Sequence, residues 1–423
     1  MPALQPPIAL CSRTSWSAAS AETTREEQSA MSEQQTAAPD FGFHGEALDN
    51  IFDDYETMLE SAPVGYSSNY GGFWYIAKSE DIFDAEQDPD TWSVGPSMLL
   101  PSFGTHTPLI PIDIDPPAHK AYRKLLLPKF TPMAVGKLEP GMHETAQQLA
   151  DDVMEAASAD PVVNASALFA RPMPTIIFSR IAGYPEEDWP QFDRWIDEII
   201  YDRTTDPERA HAAGDELYEY MARLIDDRRK NPGEYDDIMN QLMNSKVDGR
   251  ELSDDELLSY GYLLFVAGLD TTAWAIRSSL WYLAQNPESQ QKLRDNPDLI
   301  VTAAEEFLRT LSPVQAMART ALKDTEVQGQ PIKAGERAVL VFGAGNRDPQ
   351  IFDKPNEIDI EREDNRHLAF GGGVHRCLGS NLGRKELVIA LEHFLSTVPD
   401  FELAEDVPWH GVGPLPLRIK KGQ

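Results

Sequence analysis

The chain has 423 residues and a formal net charge of −32, with Asp and Glu outnumbering Lys and Arg 69 to 37. So acidic a balance argues against nucleic acid as a partner, and no run of about 20 apolar residues is present to span a membrane. The two cysteines, Cys11 and Cys377, lie far apart and make no disulfide framework, which suits a reducing cytoplasm.

Residues 1–40 are rich in Ser, Ala, Thr, Gln and Glu without a sustained apolar period, and read as a disordered lead. Met31 opens a second plausible start, so 1–30 reads as an upstream extension. Ile8-Ala9-Leu10-Cys11 lacks the basic flank and long apolar run of a lipoprotein signal. The folded domain is then 41–423. Leu48, Ile51, Phe52, Tyr55 and Leu59 predict an amphipathic helix, and Val64-Gly65-Tyr66 with Phe73 to Ala77 a strand pair. Ser79-Glu80-Asp81 reads as the cap of a short helix. The proline-rich stretch from Pro96 to Pro111 carries Met98, Leu100 and Phe103, and is either a core plug or the wall of an apolar pocket. In Asp115-Pro116-Pro117-Ala118-His119-Lys120-Ala121-Tyr122-Arg123 the prolines open a helix that places His119 and Arg123 on one face. Two such donors suit a carboxylate, as they would a solvated basic helix.

From Met133 to Asn244 the pattern is helical and acidic, with breaks at Gly183-Tyr184-Pro185 and Thr204-Thr205-Asp206-Pro207. Ser253-Asp254-Asp255-Glu256 is a capping box opening a helix to about Gln285, roughly 45 Å long. Its middle carries Leu263, Val266, Ala267, Gly268, Asp270 and Thr271. An acid and an alcohol inside an apolar helix are costly unless used. The Thr271 hydroxyl can bond back to the Ala267 carbonyl, and together with Gly268 it should distort the helix and open a polar niche. Glu306 and Arg309 stand three apart on a further helix. Ser312 to Thr320, with Val314, Met317 and Arg319, changes from helix to strand; Thr325 to Gly335 reads as a hairpin and Ala338 to Phe342 as a returning strand.

Near the C-terminus comes Phe370-Gly371-Gly372-Gly373-Val374-His375-Arg376-Cys377-Leu378-Gly379. Glycines let the backbone approach a flat cofactor, and the helix predicted to follow would stabilise a thiolate at its N-terminus. Phe-Gly-x-Gly-x-His-x-Cys-x-Gly resembles the haem-binding loop of the cytochrome P-450 family of haem-thiolate monooxygenases. Asp-Pro-Pro-x-His-x-x-x-Arg, Ala-Gly-x-Asp-Thr and Glu-x-x-Arg follow the same family's order, so the resemblance covers about 44–420.

The resemblance implies a mainly α fold with small β-sheets in one large haem-binding domain. It implies haem b with Cys377 as the axial ligand of its iron, and Phe370, Gly371, Gly379, Ala267 and Gly268 against the cofactor. His119, Arg123, Arg319 and His375 would hold the haem propionates. Asp270 and Thr271 would manage the protons that split dioxygen. Glu306, Arg309 and Arg362 would form a structural ionic cluster, although Ile358 stands where the family usually has phenylalanine. Met98, Leu100, Phe103, Leu263, Val266, Val314 and Met317 would line the substrate pocket, beneath a lid over 195–212. With no charged anchor evident, a small, mostly apolar substrate is expected, a terpenoid or similar alicyclic, as in the camphor- and terpineol-hydroxylating branch. A basic set of Lys120, Arg123, Lys124, Lys129, Arg376, Arg384 and Lys385 would dock an acidic iron–sulfur ferredoxin served by an NAD(P)H-dependent reductase. The expected protein is a cytoplasmic monomer; the alternatives are a haem-thiolate peroxygenase or reductase, or a non-catalytic haem sensor.

Overall fold

The computed structural model describes residues 38–420 except 104, 106 and 234. The expectations for Cys11, Met31 and the lead through residue 37 lie outside the described residues. The helices that position the site are, in chain order, α1 (Ile51–Ser61), α2 (Ser79–Gln87), α3 (Ala118–Phe130), α4 (Glu139–Ala159), α5 (Pro172–Ala182), α6 (Trp189–Ile196), α7 (Pro207–Lys230), α8 (Asp254–Gln285), α9 (Leu299–Thr310) and α10 (Ser380–Thr397).

α8 is the axis of the fold, in contact with α5, α6, α7, α9 and α10. Its start follows from local sequence: Ser253 Oγ accepts the Glu256 N–H at 3.2 Å while the Glu256 carboxylate accepts the Ser253 N–H at 2.8 Å. Its 32 residues are buried on nearly every side, as expected of a helix apolar all round. Among the described residues no helix is long and apolar enough to cross a membrane.

A five-stranded sheet flanks the helices in the order Val64–Ser67, Phe73–Ile76, Arg337–Leu340, Met317–Ala321, Trp92–Ser93. Only the Phe73–Ile76 and Arg337–Leu340 pair is parallel. The predicted hairpin forms between Thr325–Val327 and Gln330–Ile332, turning on Gln328 and Gly329, both at positive φ.

Three local expectations change. Ser79 is not a cap; its N–H is accepted by the distant Asp348 carboxylate at 3.0 Å. The long helical stretch is interrupted by Val162–Asn164, which pairs with the C-terminal strand Pro416–Ile419. Finally, α8 runs through Gly268 unbroken. A Cβ at Gly268 would lie 2.6 Å from the Phe178 ring, so the glycine serves the close approach of α5 rather than a kink.

Candidate functional site

The cysteine loop is shaped by what crosses it. Gly371 and Gly373 take positive φ, of 60° and 56°. A Cβ at Gly373 would fall 1.9 Å from the Glu86 carbonyl at the end of α2, so only glycine fits there. Cys377 N–H donates to Phe370 O at 2.8 Å, closing the loop, and α10 begins three residues later. Arg384 on α10 donates to Glu305 at 2.6 Å and lies 4.3 Å over the Phe370 ring, which clamps the loop from below. The Cys377 side chain remains accessible although its surroundings are desolvated, so it faces interior space rather than bulk water. Burial pushes its thiol up; the Gly379 N–H and the charges of Arg123, Arg376 and Arg384 oppose that.

Beside the loop four donors converge without enough acceptors. The rings of His119 and His375 are 4.2 Å apart, and the Nε2 atom of each is buried with no partner. Burial, with the nearby cations, holds His119 down to about 4 and His375 to about 3, so both are neutral at pH 7. Arg123 donates to Arg376 O at 2.5 Å. Arg319, 2% exposed, has its nearest carboxylate, Glu86, at 3.7 Å. Orphaned imidazole nitrogens between two guanidiniums fit the carboxylates of a bound group, because buried donors without acceptors are otherwise expensive.

α8 supplies the other wall. Ala267 is exposed and Gly268 and Thr271 half-exposed on a helix otherwise buried there. Thr271 Oγ1 donates to Ala267 O at 3.1 Å, the back-bond its spacing predicts. Asp270, 7% exposed, accepts from Tyr201 OH at 2.7 Å. Burial raises its carboxyl to about 6, with Tyr201, Arg171 and Arg203 pulling the other way. The two walls meet through Gly383 of α10, where a Cβ would touch Thr272 Oγ1 at 3.6 Å and Phe370 at 4.0 Å.

The pocket candidates divide by burial. Leu100, Phe103, Val314 and Met317 are half-buried, whereas Met98, Leu263 and Val266 are buried. Leu100 and Phe103 pack with the main core; Val314 and Met317 pack with the sheet.

Glu306, Arg309 and Arg362 do come together. Glu306 accepts from Arg309 at 2.7 Å, Arg362 at 3.1 Å, Asn365 at 3.0 Å and the Asp359 N–H at 2.9 Å.

The basic set does not stay whole. Lys129 pairs with Asp236 at 2.5 Å, Lys385 with Glu139 at 3.0 Å and Arg384 with Glu305. Among the described residues Lys120, Lys124 and Arg376 remain exposed and without an ion pair.

Three polar residues of the site escaped sequence reasoning. Tyr201 holds Asp270. Glu86 meets the Gly372 N–H and Arg319, with burial raising its carboxyl. Glu386 is buried on α10 and bonded to Thr272, and burial holds its carboxyl well above the usual carboxylate range. Acids on amphipathic helices read as surface residues, so Glu86 and Glu386 gave no signal.

The cytochrome P450 family model matches residues 111–406. The chain is 37% identical to the polyketide biosynthesis cytochrome P450 PksS of Bacillus subtilis, over 73% of this chain and 77% of that one. It is 33% identical to the steroid C26-monooxygenase of Mycobacterium bovis, over 78% and 77%. The structure of CYP109E1 from Bacillus megaterium in complex with testosterone superposes with a TM-score of 0.78 at 29% identity, covering 89% of this chain and 99% of that one. Family match, fold and site agree, and the chain belongs to the cytochrome P450 family as a haem-thiolate monooxygenase.

Proposed function

We propose that Cys377 is the thiolate ligand of haem b and that His119, Arg123, Arg319 and His375 hold its propionates, with Phe370, Gly371, Gly379, Ala267 and Gly268 against the ring. The observation that carries this is the pair of orphaned imidazole nitrogens beside the cysteine loop. Bound haem supplies the activation of dioxygen. The chain supplies the rest. Thr271, tied to Ala267 O, offers a hydroxyl in the accessible stripe of α8. Asp270 holds or passes a proton at its carboxyl and is oriented by Tyr201. Apolar side chains at Leu100, Phe103, Val266, Val314 and Met317 keep the site dry and press the substrate against it.

A mostly apolar substrate body fits this lining, with a terpenoid or other alicyclic skeleton as one member of the class. Named relatives act on different skeletons, and a few side chains decide between them. The direct test is turnover with a ferredoxin, its NAD(P)H-dependent reductase and isotopic dioxygen. One labelled oxygen in the product per NAD(P)H supports a monooxygenase. Turnover with peroxide alone points to a peroxygenase, and no product at all points to a sensor.

The electron donor is proposed to be an acidic ferredoxin, meeting the protein as a cytoplasmic monomer. Lys120, Lys124 and Arg376 frame a face on which Leu127 is 44%, Met133 74% and Val374 40% exposed. Reversing Lys120 and Lys124 together to Glu should slow reduction about tenfold at low salt, with the gap closing as salt screens the charges. Stopped-flow reduction rates that match wild type at every ionic strength would remove this docking face.

A further inference from the structure

The segment expected to form the lid is laced with ion pairs, save at one residue. Arg171 binds Asp193 and Asp197 at 2.5 and 2.9 Å, Arg194 binds Glu198 and Glu216, and Arg209 binds Glu198 at 3.0 Å. Arg203, in the turn Asp202–Thr204 between α6 and α7, forms no ion pair with any described residue. In a chain with 69 acids to 37 bases, a half-buried arginine without a carboxylate needs a reason.

Its partners are all neutral. His44 Nε2 donates to Leu100 O at 2.8 Å, which leaves Nδ1 to accept from Arg203 Nη2 at 3.2 Å. Burial and the Arg203 charge hold His44 down to about 3, so it stays a neutral hydrogen-bond partner at pH 7. The guanidinium carbon sits 4.9 Å over the Phe103 ring. Arg203 Nε is buried with no acceptor. Arg277, also lacking a carboxylate, shows the contrast: it donates to the backbone carbonyls of Pro408, Trp409, Gly413 and Pro414. Burial draws Arg203 down to about 10, so it remains a cation at pH 7, and it senses Asp270, Tyr70 and Tyr262 only beyond ion-pair range.

We propose that Arg203 is the anchor for a carboxylate on the substrate. The protein then takes an amphipathic acid whose head group lies against Arg203, Phe103 and His44 and whose apolar body runs along α8 towards Thr271. The orphan Nε–H, and a charge that no described carboxylate meets at ion-pair distance, both find what they lack in one carboxylate. The proposal departs from the expectation of a pocket with no charged anchor, which was drawn from Met98, Leu100, Phe103, Leu263, Val266, Val314 and Met317. It rests on the monooxygenase reading for where the substrate lies, and extends that reading to the substrate's class.

The test is equilibrium binding by calorimetry to the haem-loaded full chain, with dodecanoate, cyclohexylbutanoate and cholanate, each against its own methyl ester. At least one acid should bind about tenfold or more tighter than its ester, as a charge-assisted hydrogen bond implies. Arg203→Gln should abolish that preference while leaving ester affinity within about twofold, and Arg203→Lys should keep part of it. Two results overturn the anchor: no acid preferred over its ester by the wild type, or Arg203→Gln weakening acid and ester equally, which marks a structural latch. Neither result touches the monooxygenase reading, which falls instead if the reduced protein lacks the carbon monoxide band of a thiolate-bound haem.

Discussion

Replacing Asp270 with Asn is expected to lower turnover by about a hundredfold while making the folded protein more stable at neutral pH. Burial lifts the Asp270 carboxyl from 3.8 to about 6, so in the wild type about a tenth of it carries a proton at pH 7. If this group passes the proton, the wild-type rate of a proton-limited step should climb as pH falls from 8 through 6 and level off at about 5. The Asn variant should be slow throughout and lack that limb. The stability effect has the opposite sign. An acid whose folded pKa is raised contributes a penalty that is absent below about pH 4 and complete above about pH 6. With a shift of about two units, that penalty is of order 3 kcal/mol. Asn can still accept from Tyr201, so the substitution should raise the midpoint of denaturation at pH 7 and do nothing at pH 4. Unchanged turnover with a flat pH profile would remove Asp270 from the proton path.

Glu306→Gln should be the most damaging single substitution outside the cysteine loop. Glu306 and Arg309 are both 0% exposed, and removing the carboxylate leaves two guanidiniums facing one neutral amide. Breaking a buried pair in this way costs about 3–5 kcal/mol, a large part of a domain's stability. The damage would spread, because Arg309 also donates to Asn346 O at 2.7 Å, Pro355 O at 2.8 Å and Glu357 O at 2.9 Å. Asn346 in turn accepts the Leu368 N–H at 2.5 Å, two residues before Phe370. The variant should therefore lose haem retention along with stability. Lys354→Ala removes a fully exposed pair with Glu357 and should have no measurable effect. Chemical denaturation of the two variants side by side checks both statements.

Local chemistry was legible in the sequence and distant chemistry was not. The Ser253 capping box and the Thr271 back-bond are set by neighbours three and four residues away, so spacing alone identifies them. Gly268 was read as a kink because its reason, the Phe178 ring, comes from another helix. Val162–Asn164 was taken as helix because its partner strand lies about 250 residues downstream. Arg384 and Lys385 were counted as free surface charge, yet Glu305 and Glu139 claim them across the fold. Arg203 left no trace beside Thr-Thr-Asp-Pro, where the chain signals only a turn. Its meaning lies in the carboxylate that the fold withholds from it.

The Cys377 sulfur is the proposed ligand of the haem iron, and one spectrum tests that bond. The purified full chain, loaded with haem, is reduced under carbon monoxide beside the Cys377→Ser variant. The wild type should show the long-wavelength band of thiolate ligation, and the variant should lose it while still folding. A wild type without the band, or a serine variant that keeps it, would contradict the assignment.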